Sequence, residues 1–166
     1  MSQPTHWDAF GQARMVDVSH KPETKRTARA QAWVRMKPEV LARLPENPKG
    51  NPLEVARIAG ILAAKKTSEL IPLCHPLPLS HVDVQISIEQ EGIRIESTAA
   101  TTAATGVEME ALTAAAITAL TIYDMTKALD KGIEITDLCL LEKTGGKSGD
   151  YRRSPTAAQS SSSDNQ

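Results

Sequence analysis

The sequence predicts an α+β fold, an antiparallel sheet with its helices packed on one face. Two observations carry the prediction. Apolar residues alternate with period two in residues 28–36, 82–95 and 133–141, and they recur at helical spacing in 52–66 and 107–129. Their order along the chain (strand, helices, strand, strand, helix, strand) lets one sheet bury a single helix layer.

The first dozen residues mix Pro4, Asp8 and Gly11 with isolated aromatics and show no period, so residues 1–14 are expected to form a mobile arm. Ala28, Ala30, Ala32, Val34 and Met36 then mark a half-buried strand. Pro38 opens a short helical stretch that Pro45 and Pro48 end. In the next helix Asn51 can cap, Pro52 suits the first turn, and Val55, Ile58, Ala59 and Leu62 recur up to Lys65 and Lys66. Three prolines in IPLCHPLPLS (71–80) exclude a regular helix and indicate an ordered loop. Val82, Val84, Ile86 and Ile88, followed across a turn at Glu91 and Gly92 by Ile93 and Ile95, form a β-hairpin. From 98 to 121, 16 of 24 residues are Ala or Thr, and a long helix runs from about Val107 to Leu129, where Lys131 and Gly132 stop it. The last strand follows, with Asp137 as a bulge or break. The whole is the split βαβ, ferredoxin-like arrangement, in one domain of residues 15–153. From 154 onward SPTAAQSSSSDNQ has no large apolar residue and is expected to be a disordered tail.

Composition narrows the function classes. Lys and Arg total 19 against 20 Asp and Glu, a net charge of -1, so no broad basic field steers nucleic acid or anionic membrane to the chain. Aromatics at 3% argue against a stacking platform for single strands. Cys74 and Cys139 are too few for a disulfide scaffold or a cysteine metal cluster, and a reducing cytoplasm fits them. No apolar run nears the ~20 residues of a membrane span.

The long helix is apolar nearly all round and should be buried, yet it carries Glu108, Glu110, Asp124 and Lys127. They either complement the helix dipole and form an i,i+3 pair, or they serve chemistry. Glu110 and Asp124 share a face but lie roughly 21 Å apart along the axis. They cannot serve one small site within a single helix. An antiparallel copy across a two-fold axis would join them, and Ala and Thr would permit the close approach. Elsewhere, Cys74-His75 is a weak metal signal, but its braced loop suits a ligand contact. Lys143 to Ser148 ends in GKS yet lacks the earlier glycine of a phosphate loop, Leu141 standing in its place. Backbone N–H groups and the two lysines there can still bind phosphate.

MVDVS (15–19), ARIAGI (56–61), IPLCHPL (71–77), TGVEMEALTAA (105–115), LTIYDM (120–125) and GGKSGD (145–150) together resemble the MoaC family, the cyclic pyranopterin monophosphate synthases, over about residues 15–151. The resemblance implies a ferredoxin-like lyase of molybdenum cofactor biosynthesis. Its substrate would be 3',8-cyclo-7,8-dihydro-GTP, rearranged to cyclic pyranopterin monophosphate with release of pyrophosphate. It further implies a cytoplasmic homohexamer, a trimer of dimers with active sites at the dimer interface. By motif, Asp124 matches the catalytic aspartate, Lys127 a nearby functional lysine and Lys49 a further active-site lysine. Leu73, Cys74 and His75 match a substrate-contacting loop, Met109 and Glu110 a second contact, and Lys143 another site lysine. Lys65 and Lys147 are expected to face the triphosphate. No cofactor or protein-held metal is expected, and Mg²⁺ accompanying the triphosphate stays open. Two residues depart from the pattern: Asn51 stands where the family often has an acid, and Ala104 where it often has a base. Opening one ring and closing another requires tuned proton donors and acceptors, and a buried lysine-rich site would depress lysine pKa values. A non-catalytic nucleotide-binding module and an interaction scaffold are the alternatives on the same fold.

Overall fold

The computed structural model describes residues 6–154. In chain order the elements are β1 (Thr24–Arg35), α1 (Pro38–Ala42), α2 (Pro52–Lys65), α3 (Thr67–Leu70), β2 (Leu79–Glu89), β3 (Gly92–Ala103), α4 (Glu108–Thr126), β4 (Glu134–Thr144) and β5 (Tyr151–Arg152), with a 3-10 turn at Leu44–Glu46. The strands pair antiparallel in the order β2-β3-β1-β4-β5, and α2 and α4 cover one face. This is the expected α+β, ferredoxin-like arrangement, with β5 added at one edge.

Alternation determines what the helices cover. Ala28, Ala30, Ala32 and Val34 of β1 and Ile93, Ile95 and Ala99 of β3 are buried in the core, while Arg29, Gln31, Trp33 and Arg35 alternate with them toward the open face. Asn51 caps α2 by accepting the Leu53 and Glu54 amides at 3.1 and 3.3 Å, so replacing an acid there costs no cap. Asp137 takes a left-handed φ of 54°, next to the shift in β1–β4 register between Gln31 and Trp33. This is the bulge the sequence indicates.

Residues 98–103 of the Ala/Thr stretch extend β3. Two expectations are revised. The Ala and Thr residues of α4 are spent largely inside the subunit: Ala111, Ala114, Ala115 and Ala119 are buried in the core, and Thr118 faces Gly60 of α2. Small side chains there let α4 lie close to the sheet and to α2, so they do not themselves define a subunit interface. On α2 the buried side is Pro52, Ala56, Gly60, Ala63 and Ala64, which leaves Val55, Ile58 and Leu62 exposed. Residues 6–14 of the expected arm close into a small turn in which Trp7 bridges Ala13. Residues 1–5 of that arm, and 155–166 of the proposed tail, lie outside the described residues.

Candidate active site

The loop from Ile71 to β2 and the first turn of α4 meet at one end of the sheet. Leu73, Cys74, His75, Met109 and Glu110 line a cleft of about 380 Å³ there. The prolines hold the loop, and His75 Nε2 donates to the Val16 carbonyl at 2.7 Å, which ties the MVDVS segment over it. Glu110 is only 4% exposed, and burial raises its pKa above the ordinary carboxyl value. Burial and the nearby Glu110 also push the Cys74 thiol up. Cys74 therefore stays a thiol at neutral pH, suited to contact rather than to nucleophilic attack.

A second cleft of about 480 Å³ adjoins the first, with Lys21, Thr105 and Gly106 lining both. Arg26 and Lys147 make it basic. Arg26 is aimed by donating to the Ala103 and Ala104 carbonyls at 3.1 and 3.3 Å, so a cation reaches the position where Ala104 replaces a base. The GGKSG turn favours glycine: Gly145 and Gly146 have φ of +89° and +84°, a Cβ on Gly145 would strike the Lys25 carbonyl, and one on Gly146 would push the Arg26 guanidinium aside. Thr24 lines the same cleft, and its buried hydroxyl has no partner among the described residues. Lys143 pairs with Glu108 at 2.7 Å at the start of α4. Lys65 lies in a third cleft, of about 370 Å³, which shares Leu77 with the first.

The remaining predicted residues are elsewhere. Asp124 and Lys127 pair at 2.7 Å at the far end of α4, and Lys49 Nζ donates to the Asp124 carbonyl at 3.4 Å. At ~1.5 Å per residue Asp124 stands about 21 Å along the helix from Glu110. The pair is exposed on the subunit surface. Hydrogen bonding and charge attraction from Lys127 lower the Asp124 pKa, and Asp124 in return raises that of Lys127. The expected depression of the lysine is therefore not met at Lys127, because the hydrogen bond and charge of Asp124 outweigh its desolvation in the single chain. Among the described residues no group of three or more His, Cys, Asp or Glu is placed to hold a metal.

Arg26, Lys21 and Thr24 are functional candidates that motif reading missed. Their signal was their place directly after MVDVS, where the start of β1 carries two cations before its apolar alternation begins.

Comparison with known proteins identifies the family. The MoaC family model matches residues 15–146. Proteins named cyclic pyranopterin monophosphate synthase are similar over most of the chain. That of Thermomicrobium roseum is 52% identical over 163 residues, covering 96% of this chain and 98% of that protein. That of Parvibaculum lavamentivorans is 53% identical over 152 residues, covering 89% and 95%. That of Brevibacillus brevis is 54% identical over 154 residues, covering 91% and 96%. With its motifs on the loop, helix ends and glycine turn just described, the chain belongs to the MoaC family.

Proposed function

We propose that this chain is a cyclic pyranopterin monophosphate synthase, which converts 3',8-cyclo-7,8-dihydro-GTP to cyclic pyranopterin monophosphate and pyrophosphate at sites shared by two subunits. One observation carries the reading: a cleft floored by Leu73, His75 and Glu110 runs into a basic cleft lined by Lys21, Arg26 and Lys147. Both fall within the ~300–1,000 Å³ usual for ligand sites. The first suits the purine-derived rings and the second the triphosphate.

In this reading Lys21, Arg26, Lys147 and the turn's backbone amides neutralise the triphosphate and stabilise the departing pyrophosphate as the cyclic phosphate closes. Lys143 steadies the start of α4, and Lys65 approaches from the adjoining cleft. Asp124, held ionised by Lys127, accepts a proton, and the Lys127 ammonium donates one or offsets developing charge. Lys49 stands beside them. These three reach the rings from a second copy, because their own cleft lies a helix length away. The assembly is a homohexamer, a trimer of dimers, working in the cytoplasm. The exposed Val55, Ile58 and Leu62 supply apolar surface for assembly, and Cys74 and Cys139 are unpaired. No helix among the described residues is long and apolar enough to cross a membrane. The chain needs no resident cofactor in this reading, and any Mg²⁺ travels with the triphosphate.

The test supplies the cyclised GTP derivative and measures pyrophosphate and pterin together. Equal release of both supports the reading. Binding without pyrophosphate would assign a nucleotide-binding module instead. Asp124→Asn is expected to lower kcat by ~10²-fold or more while leaving Kd largely intact.

A further inference from the structure

The segment ahead of β1 holds a feature that the reaction does not use. Residues 6–14 close on themselves: the Asp8 amide donates to Gln12 O and the Arg14 amide to His6 O, each at 2.9 Å. Asp8 Oδ1 accepts the Phe10 and Gln12 amides at 2.8 Å. A turn secured in this way needs no apolar tip, yet Phe10 is 89% exposed, Trp7 52% and Met15 50%. Two of the chain's five aromatics thus stand in solvent at one place in an aromatic-poor sequence. Aromatic side chains contribute roughly 150–250 Å² each when buried, and exposed clusters on that scale mark interaction sites.

The position of the turn points to its occupant. His6, at its base, lines the cleft that holds His75 and Glu110. The half-site that must reach this cleft carries Asp124, and Leu120, one turn earlier on α4, is exposed. Val55 and Ile58 are exposed on α2, and the loop that leads into α2 is joined to the end of α4 by the Asn47 side-chain amide donating to Met125 O at 2.8 Å. Because α2 packs along α4, a copy that presents Asp124 to the cleft would carry these exposed side chains on the same helix pair, toward the end of the cleft where His6 stands.

We propose that the Trp7–Phe10 turn is a docking element for a second copy of this chain, seated on that copy's exposed Val55, Ile58 and Leu120 side chains and closing the shared cleft from water. The proposal rests on the two-subunit reading of the site. Its test uses the full-length Trp33→Phe protein, in which Trp7 is the sole indole. In the assembled enzyme Trp7 emission is blue-shifted, and acrylamide quenching is roughly threefold weaker than after dissociation by dilution, because a docked indole loses most of its solvent contact. Adding Ile58→Asp, at an exposed position that leaves the far-ultraviolet circular dichroism unchanged, returns Trp7 to solvent-like emission and quenching. Equal quenching in the two states, or emission indifferent to Ile58→Asp, would overturn the docking. If Asp124→Asn and His75→Ala subunits complement each other while Trp7 stays solvent-quenched, the docking fails and the two-subunit site stands. A fully active monomer would overturn both.

Discussion

Gly60→Ala tests how closely α2 and α4 approach in the helix layer that positions both ends of α4. On an isolated helix the change would stabilise by about 1 kcal/mol through propensity. Here the added Cβ would lie 2.1 Å from Thr118 Oγ1, 3.0 Å from the Ala114 carbonyl and 3.3 Å from Val84 Cγ2. Thr118 is fully buried and donates to Ala114 O at 2.7 Å, so it cannot turn away without losing its acceptor. Overpacking costs about 1–3 kcal/mol and an unsatisfied buried hydroxyl about 1–3 kcal/mol more. Set against the propensity gain, the net loss is about 3 kcal/mol, or roughly 6–12 °C in Tm for a chain of this size. Urea or thermal unfolding at fixed protein concentration measures it, since the proposed assembly would make stability concentration-dependent. Gly60→Ala with Thr118→Ala removes the worst contact and should recover most of the loss. A neutral or stabilising single variant would refute the close α2–α4 approach.

Other positions give independent tests. Burial raises the pKa of Glu110, so the folded chain keeps a proton that the unfolded chain releases above about 4.3. Stability present below that pH is lost as pH climbs through the folded value, and Glu110→Gln should flatten the decline in urea titrations run from pH 4 upward. An identical slope in the variant would show that Glu110 is not desolvated. Gly146→Ala forces a side chain into a positive φ and against Arg26, so KM should rise by about tenfold, the equivalent of ~1.4 kcal/mol, with kcat less changed. Lys147→Ala should likewise weaken Kd and KM more than kcat, and unchanged constants would count against its phosphate role. Asn51→Ala removes the α2 cap and should cost about 1 kcal/mol by chemical denaturation, with activity per folded enzyme retained.

Where side-chain size and burial go together, the sequence was legible. The alternation in β1 and in the β2–β3 hairpin, and the Asn51-Pro52 start of α2, all appear where expected. Where close approach demands small residues, the pattern misleads. Ala56, Gly60 and Ala63 form the inward side of α2, so the larger Val55, Ile58 and Leu62, which carry the helical period to the eye, face out. Ala and Thr at 98–103 suit either helix or strand, and only pairing with residues 24–29 of β1 decides the matter. β5 is two residues long and carries no period at all. The loop, glycine turn and helix-end residues of the site could be named from motifs, and the helical rise alone separated Asp124 from Glu110. The basic cleft was hidden because Lys21, Arg26 and Lys147 converge only through the β1–β4 pairing and the β4–β5 turn.

The central claim is that each working site takes Leu73, His75 and Glu110 from one subunit and Asp124, Lys127 and Lys49 from another. Mixing two inactive variants, Asp124→Asn and His75→Ala, tests it most directly. With random pairing about half of the dimers are mixed, and each mixed dimer holds one site with both defects and one with neither, by the two-fold symmetry of the contact. Pyrophosphate release from the cyclised GTP derivative should then recover to about one quarter of the wild-type rate after subunit exchange. If the mixture stays as inactive as its components while exchange is complete, both halves act within one chain and the shared site is wrong.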